Sequence, residues 1–522
     1  TTLSPFHWIF EFPEVFLEKG GFDVVVGNPP YGKIKNMKLQ EEEKFFLSSV
    51  YKSLYQNIGT NVDFYKIFLK RSLTLTCDGK GYFSFLMPIM FWGDADSYDL
   101  RKEFYNFFIL KILHFPLETT VKLFSGAINY EVSIFILKKN RTQSNFELRV
   151  SSYISSEDVR NLCNINFYKL EKSYVFKTSI LGRLPLFQKA EYEKSILGFM
   201  RERFKPFGEY YNGESLGFIL EGKLHETNDK KYLSSKPTGE LAIASNHIKD
   251  WFVDLIPREE EKRWIKNGVK FRKRKVRDSI FNVENIGQLM DINPKIIGRQ
   301  MANRGEKKKL HFMIHSGNEI LTNGVRIIIL KNRDVIFNKF FLALINSNLL
   351  DWQFKVYSLT YNVKPYELFD LFILNPQELI LSGLSLIVDY ILFSTALFRL
   401  NVEDGIYQQF FICLLNVEVF ELYFKEKFYK DGLYPEQKEY LLELVLRYLK
   451  PINYDRWAEL YWKKQLEGNL TEKEEKELVK LERENLATIQ EVYQKLSKDK
   501  EIQAQIEKIK SHEWVKIIEG SS

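Results

Sequence analysis

The sequence predicts a mixed α/β chain of several units, and three observations carry that expectation. An apolar run, Phe22 to Val26 broken only by Asp23, stops at Gly27 before a proline pair, as a buried parallel strand does at its carboxyl end. Between Arg201 and Pro376 the pattern changes to short strands, turns and basic clusters, and from Leu384 apolar residues recur at helical spacing. The length of 522 residues accommodates roughly three domains.

With 45% hydrophobic and 27% charged residues, the chain is too apolar to be disordered in bulk. Lys and Arg number 75 against 68 Asp and Glu, a net +7 that matters only where it concentrates. Cys77, Cys163 and Cys413 lie too far apart for a disulfide framework or a Cys-rich metal site, which fits a reducing, cytoplasmic setting. No uninterrupted apolar run approaches the roughly 18 residues of a bilayer span, so no membrane is expected. The chain opens at Thr1 and reaches a catalytic-looking segment within thirty residues, which predicts a fragment.

The loop after the first strand carries the chemistry. Pro29 and Pro30 cannot donate ladder hydrogen bonds, so the chain leaves the sheet stiffly at the strand end where open α/β sheets bind ligands. Asn28 offers a side-chain amide, Pro29 a carbonyl held by two rings, and Tyr31 an aromatic face. Together they could accept two hydrogen bonds from an exocyclic amino group while stacking on its ring. The same residues also suit a Pro-rich turn in which Asn28 caps the backbone and Tyr31 only packs.

Asn28-Pro29-Pro30-Tyr31 after an apolar strand resembles the catalytic motif of DNA adenine N6 methyltransferases, and His7-Trp8 through Phe16 resembles the lead-in of fused type IIG restriction-modification and phage-defence enzymes. Further landmarks follow in the family's order. Asn61 to Phe68 with Arg71 resembles its next helix, Asp78-Gly79-Lys80-Gly81 a turn, and Tyr82 to Met87 a strand ending at Pro88. Leu110 to Phe115 and Tyr130 to Leu137 resemble two more strands, flanking Leu123-Phe124-Ser125-Gly126. The resemblance implies that Asn28, Pro29, Pro30 and Tyr31 are catalytic and that Tyr31 and Phe124 sandwich a flipped adenine. It also implies that Asn28 and Phe68 meet the cofactor, S-adenosyl-L-methionine, with no metal needed.

The fold it implies is an incomplete Rossmann-like methyltransferase sheet whose N-terminal half is missing, followed by an α+β target-recognition domain and a helical C-terminal region. Gly79-Lys80-Gly81 lacks the third glycine of a cofactor loop, and no Gly-rich strand-to-helix turn appears later, which favours truncation over circular permutation. The expected units are residues 1–150 for the catalytic half, 151–200 for a connector, 201–376 for target recognition and 377–522 for helices.

Two basic runs in the middle region supply phosphate attraction, and double-stranded DNA is the expected partner. They include Lys270, Arg272, Lys273, Arg274 and Lys275, then Arg299, Arg304 and Lys307, with Trp251, Phe252, Trp264 and Phe271 interleaved. An exposed charged loop accounts for either run equally simply. Glu240 to Ile248, Pro294 to Arg299, a long helix from Asn338 to Val356, and Asn362 to Leu374 resemble the recognition domain's segments. His311 and His315 lack an intervening glutamate and read as strand or loop, not a metal pair. Asp254 with Glu260-Glu261-Lys262 reads as a solvated face, so a nuclease domain or subunit would lie upstream or act in trans. The expected function is site-specific adenine N6 methylation within a restriction-modification or phage-defence enzyme. The alternatives are a non-enzymatic DNA specificity module and the modification part of a type IIG endonuclease.

Overall fold

The computed structural model describes residues 6–34, 40–46, 49, 63–126, 128, 130–151, 153–211, 213–225, 227–236, 239–256, 261–266, 275–278, 283–285, 291–302, 306–317, 319–359, 362–400, 405–433 and 440–520. The chain divides into two compact units: Thr1–Arg201 with Val356–Thr360, and Glu202–Lys355 with Tyr361–Ser522.

The first unit is built on one mixed sheet. Its strands are β1 (Val24–Gly27), β2 (Tyr82–Pro88), β3 (Phe107–Phe115), β4 (Val132–Arg141), β5 (Glu147–Ser151) and β6 (Phe167–Glu171), in spatial order β1-β2-β4-β3-β5-β6. β1 runs parallel to β2 and β3 parallel to β5, while the other pairings are antiparallel. β2 has the two-residue alternation of a strand, burying Phe83, Phe85 and Met87, and Trp92 donates to the Ser133 hydroxyl at 3.1 Å. The buried Arg101 guanidinium donates to the carbonyls of Phe91, Asp94, Leu181 and Gly182, which gives an interior charge the partners it requires.

The expectation for the first strand is corrected in one respect. β1 is parallel, but it is a four-residue edge strand, and Val24 and Val26 are 60% and 71% exposed. Among the described residues β1 has a strand neighbour only on the β2 side, and Val24 and Val26, two residues apart, lie on one face of it.

The second unit holds a four-stranded antiparallel sheet of β7 (Gly217–Glu221), β8 (Lys295–Arg299), β9 (Phe312–His315) and β10 (Val325–Leu330), in order β9-β8-β10-β7. β8 and β10 are buried along their whole length, and Ile297, Ile327 and Ile329 form a core with Leu241, Ile243 and Val253. The long helix expected from Asn338 to Val356 is two helices, Val335–Ile345 and Asn348–Tyr357. Asn346 ends the first because its amide acts as a strand residue beside β9, accepting from the Phe312 N–H at 2.9 Å and donating to the Phe312 carbonyl at 2.8 Å.

Five longer helices follow: α1 (Glu378–Arg399), α2 (Ile406–Lys430), α3 (Tyr454–Glu467), α4 (Glu472–Lys498) and α5 (Lys500–Ser511). Among the described residues α1 alone is long and apolar enough by composition to cross a membrane, yet 72% of its most apolar stretch is buried inside the protein, as in a core helix. α4 starts on a capping box between Thr471 and Glu474 and turns its apolar positions Ile489, Val492 and Leu496 inward.

Glu418 on α2 is fully buried, and among the described residues neither carboxyl oxygen has a hydrogen-bond partner. Burial, and then the neighbouring Glu421 carboxylate, push its pKa well up, so the folded chain holds the neutral acid. A folded-state pKa above the unfolded value, near ~4.3, gives stability that is full below that value and is lost as pH rises. The Glu418→Gln variant should therefore melt several degrees above the unsubstituted protein at about pH 8 and level with it near pH 4. Equal midpoints at both pH values in a calorimetric scan would contradict this.

Candidate active site at the end of the first strand

β1 delivers its loop in register: Gly27 lies opposite Phe85 on β2, so the chain turns away beside Leu86. Gly27 has little alternative, since a Cβ there would come within 2.8 Å of the Phe85 ring. Beyond it Asn28 and Pro30 are exposed, Pro29 is buried and Tyr31 is half-buried. The Tyr31 hydroxyl lies 2.8 Å from Asn28 Oδ1 and 3.0 Å from the Leu86 carbonyl, and can donate to either. Its pKa is pushed up, first by burial and then by Tyr130, so the hydroxyl stays a donor.

The far side of the loop is pinned to the next helix. The Phe64 N–H donates to the Gly32 carbonyl at 3.0 Å, the backbones of Lys33 and Asp63 pair in an isolated antiparallel β-bridge, and Asp63 precedes the helix Phe64–Leu75. Lys66, wholly buried on that helix, sits 3.0 Å from the Asp96 carboxylate and 4.0 Å from Asp63. Asp63 has its pKa raised by burial, which outweighs Lys66 and Lys33 and is reinforced by Asp94 and Asp96.

The structure brings Asn28, Pro29, Pro30 and Tyr31 together, as their contiguity requires. Phe68 projects from the same helix 40% exposed, its ring 5.9 Å from that of Phe64. Phe124 is half-buried against Leu113, Phe115, Val132 and Ile154. The ring against Tyr31 is that of Tyr130, with centroids 6.0 Å apart and planes at 65°. Sequence reasoning took Tyr130 only as the start of a strand. The available signal was its place just past the Ser125-Gly126 turn, where both residues have positive φ.

Among the basic residues of the middle region, Lys270, Arg272, Lys273, Arg274 and Arg304 lie outside the described residues, as does Phe271. Lys275 starts a short strand, Lys275–Asp278. Lys307 is exposed, and its carbonyl accepts from Lys355. Arg299 is interior: its Nε donates to the Ile248 carbonyl at 2.6 Å and one terminal nitrogen meets Glu306 at 2.9 Å. Trp251 and Phe252 are buried as well, and Trp264 packs half-buried on the core. Beside Arg299, His311 and Lys308 flank Asp250 at 3.2 Å and 3.1 Å. Burial alone would raise the Asp250 pKa, but Lys308 and His311 outweigh it and hold the carboxyl well below the usual range. Glu261, from the acidic run, pairs with His247 at 2.9 Å. Among the described residues no group of His, Cys, Asp and Glu has the spacing to hold a metal.

These contacts make Arg299 a tie between Ile248 and the Glu306 loop. The Arg299→Ala variant should lower the thermal midpoint by several degrees, because it strands a buried carbonyl and a carboxylate at a cost of about 2–4 kcal/mol. An unchanged midpoint with weakened DNA binding would contradict that role.

Residues 2–121 match the Eco57I restriction-modification methylase family. A protein of Methanocaldococcus jannaschii, named for a type II restriction enzyme and methyltransferase, is 26% identical over 358 residues, which is 67% of this chain and 26% of that protein. The Escherichia coli type II restriction enzyme and methyltransferase RM.Eco57I is 27% identical over 139 residues, 26% of this chain and 13% of its own length. The chain thus spans about a quarter or less of these curated relatives. Among solved structures, the type IIL restriction-modification enzyme MmeI in complex with DNA covers 80% of the chain and 55% of its own at 9% identity, TM-score 0.44. The type IIG restriction endonuclease BpuSI covers 77% and 54% at 12% identity, TM-score 0.30.

Proposed function

Taking as premise that residues 2–121 match the Eco57I restriction-modification methylase family, we propose that this chain is the base-orienting part of a site-specific DNA adenine N6 methyltransferase in a restriction-modification or phage-defence enzyme. The observation that carries the reading is the loop itself: an exposed Asn28 amide oxygen, the adjoining Pro29 carbonyl and the Tyr31 ring, anchored at the end of a parallel strand.

Adenine N6 is unreachable inside the stack, so the target base leaves the duplex and enters the loop. Asn28 Oδ1 and the Pro29 carbonyl each accept one hydrogen of the amino group, which turns its nitrogen lone pair outward. Tyr31 stacks on the ring and fixes its plane. S-adenosyl-L-methionine, when bound, supplies the electrophilic methyl group. The chain's own share is orientation and dipoles placed before reaction, and no covalent enzyme adduct is needed.

The exposed Phe68 ring has the chemistry to meet the cofactor's adenine, which makes these residues one wall of a cofactor site. The exposed Val24 and Val26 support further structure packed on that face of β1, since parallel strands are ordinarily covered on both faces. Residues 201–376 are the part assigned to reading double-stranded DNA, through basic groups reaching phosphates and guanine edges. A nuclease activity would come from a domain or subunit outside this chain.

In the full-length protein supplied with labelled S-adenosyl-L-methionine, Asn28→Ala should cut methyl transfer to DNA by roughly a hundredfold or more, with DNA affinity unchanged. Near-normal transfer would overturn the proposal.

A further inference from the structure

Tyr31 must present a flat face to the base, and its hydroxyl contacts cannot secure that alone. A tyrosine held at its Cβ and at its hydroxyl still turns about the axis joining them, so tethers at Asn28 Oδ1 and the Leu86 carbonyl fix the axis and leave the plane free. An amino group arriving at Asn28 Oδ1 also displaces the hydroxyl from that acceptor and leaves Leu86 as its partner. What meets the ring off its axis is Tyr130, 6.0 Å away between centroids and inclined at 65°, an edge-to-face contact of favourable geometry. Tyr130 stands two residues before β4 and is itself 37% exposed, so it borders the loop without closing it.

We infer that Tyr130 is a positioning residue that sets the plane of the Tyr31 ring, so that a base held by Asn28 and Pro29 finds that ring already parallel to it. This rests on the methyltransferase reading above. It places Tyr130 one step from the substrate, acting through Tyr31, and fixes a ring plane that the stiff backbone of the loop leaves free. Asp63 lies near enough to raise the Tyr130 pKa after burial does, which keeps the phenol neutral and the contact uncharged at working pH.

The test uses the protein with S-adenosyl-L-methionine and a DNA duplex carrying 2-aminopurine at the target position for fluorescence, or adenine for single-turnover methylation. In Tyr130→Leu the methylation rate should fall about threefold to tenfold, the worth of one aromatic contact, with DNA affinity unchanged. The flipped 2-aminopurine should be brighter because it stacks less well on Tyr31. Tyr130→Phe keeps the ring and should restore most of the lost rate and the quenching, which a general packing role for the hydroxyl would not do. If the leucine variant does not fold, Tyr130→Met takes its place. An unchanged rate and unchanged quenching in the ring-less variant would overturn the inference, as would a Tyr130→Phe variant as impaired as Tyr130→Leu. Asn28→Ala on the same duplex separates the two claims: if it stays active the methyltransferase reading has failed, and if it is dead while Tyr130→Leu is normal only the role of Tyr130 has.

Discussion

The pairing of β1 with β2 is the constraint on which the site depends. Because Gly27 lies opposite Phe85, the next carbonyl along β2, that of Leu86, falls under the Tyr31 hydroxyl, and Asn28 is the first side chain clear of the sheet. A shift of one residue would exchange the faces of β1 and aim Asn28 elsewhere. The ring of Phe85 reinforces the register by leaving no room for a Cβ at position 27. On the other side the Gly32–Phe64 hydrogen bond and the Lys33–Asp63 bridge keep the loop from lifting. A proline pair stiffens the span between these two anchors, so its two acceptors are placed before any base arrives.

β2 and β4 bury alternate residues in the ordinary way, while β1, which among the described residues is paired along one edge alone, leaves Val24 and Val26 exposed. Such an edge is a liability unless something covers it. On the proposed reading the covering strands also carry the methyl donor, so this chain divides the labour: it orients the base and leaves the donor to the strands beyond. The relatives, of which the chain spans a quarter or less, have length to spare for such strands.

How far the sequence could be read follows the range of the interactions involved. β2 was legible almost to the residue because alternation and a closing proline are local signals, β8 was legible only through its resemblance to a family segment, and the Asn28 loop was legible because two prolines end a strand unmistakably. The exposure of β1 was not, since an apolar run looks the same whether or not its neighbour is present. The break at Asn346 depends on Phe312, 34 residues away, and no periodicity within the helix announces it. Arg299 reads as a surface cation until Ile248 and Glu306 are seen to enclose it. Tyr130 reads as the beginning of a strand, and only the fold lays its ring against that of Tyr31.

The central claim is chemical: this loop receives the amino group of adenine. The direct measurement is to incubate the full-length protein with DNA and methyl-labelled S-adenosyl-L-methionine, digest the DNA to nucleosides and identify the labelled one. The account predicts label in N6-methyldeoxyadenosine alone. Label on a methylated cytosine, or DNA that stays unlabelled while the protein binds both DNA and cofactor, would contradict it.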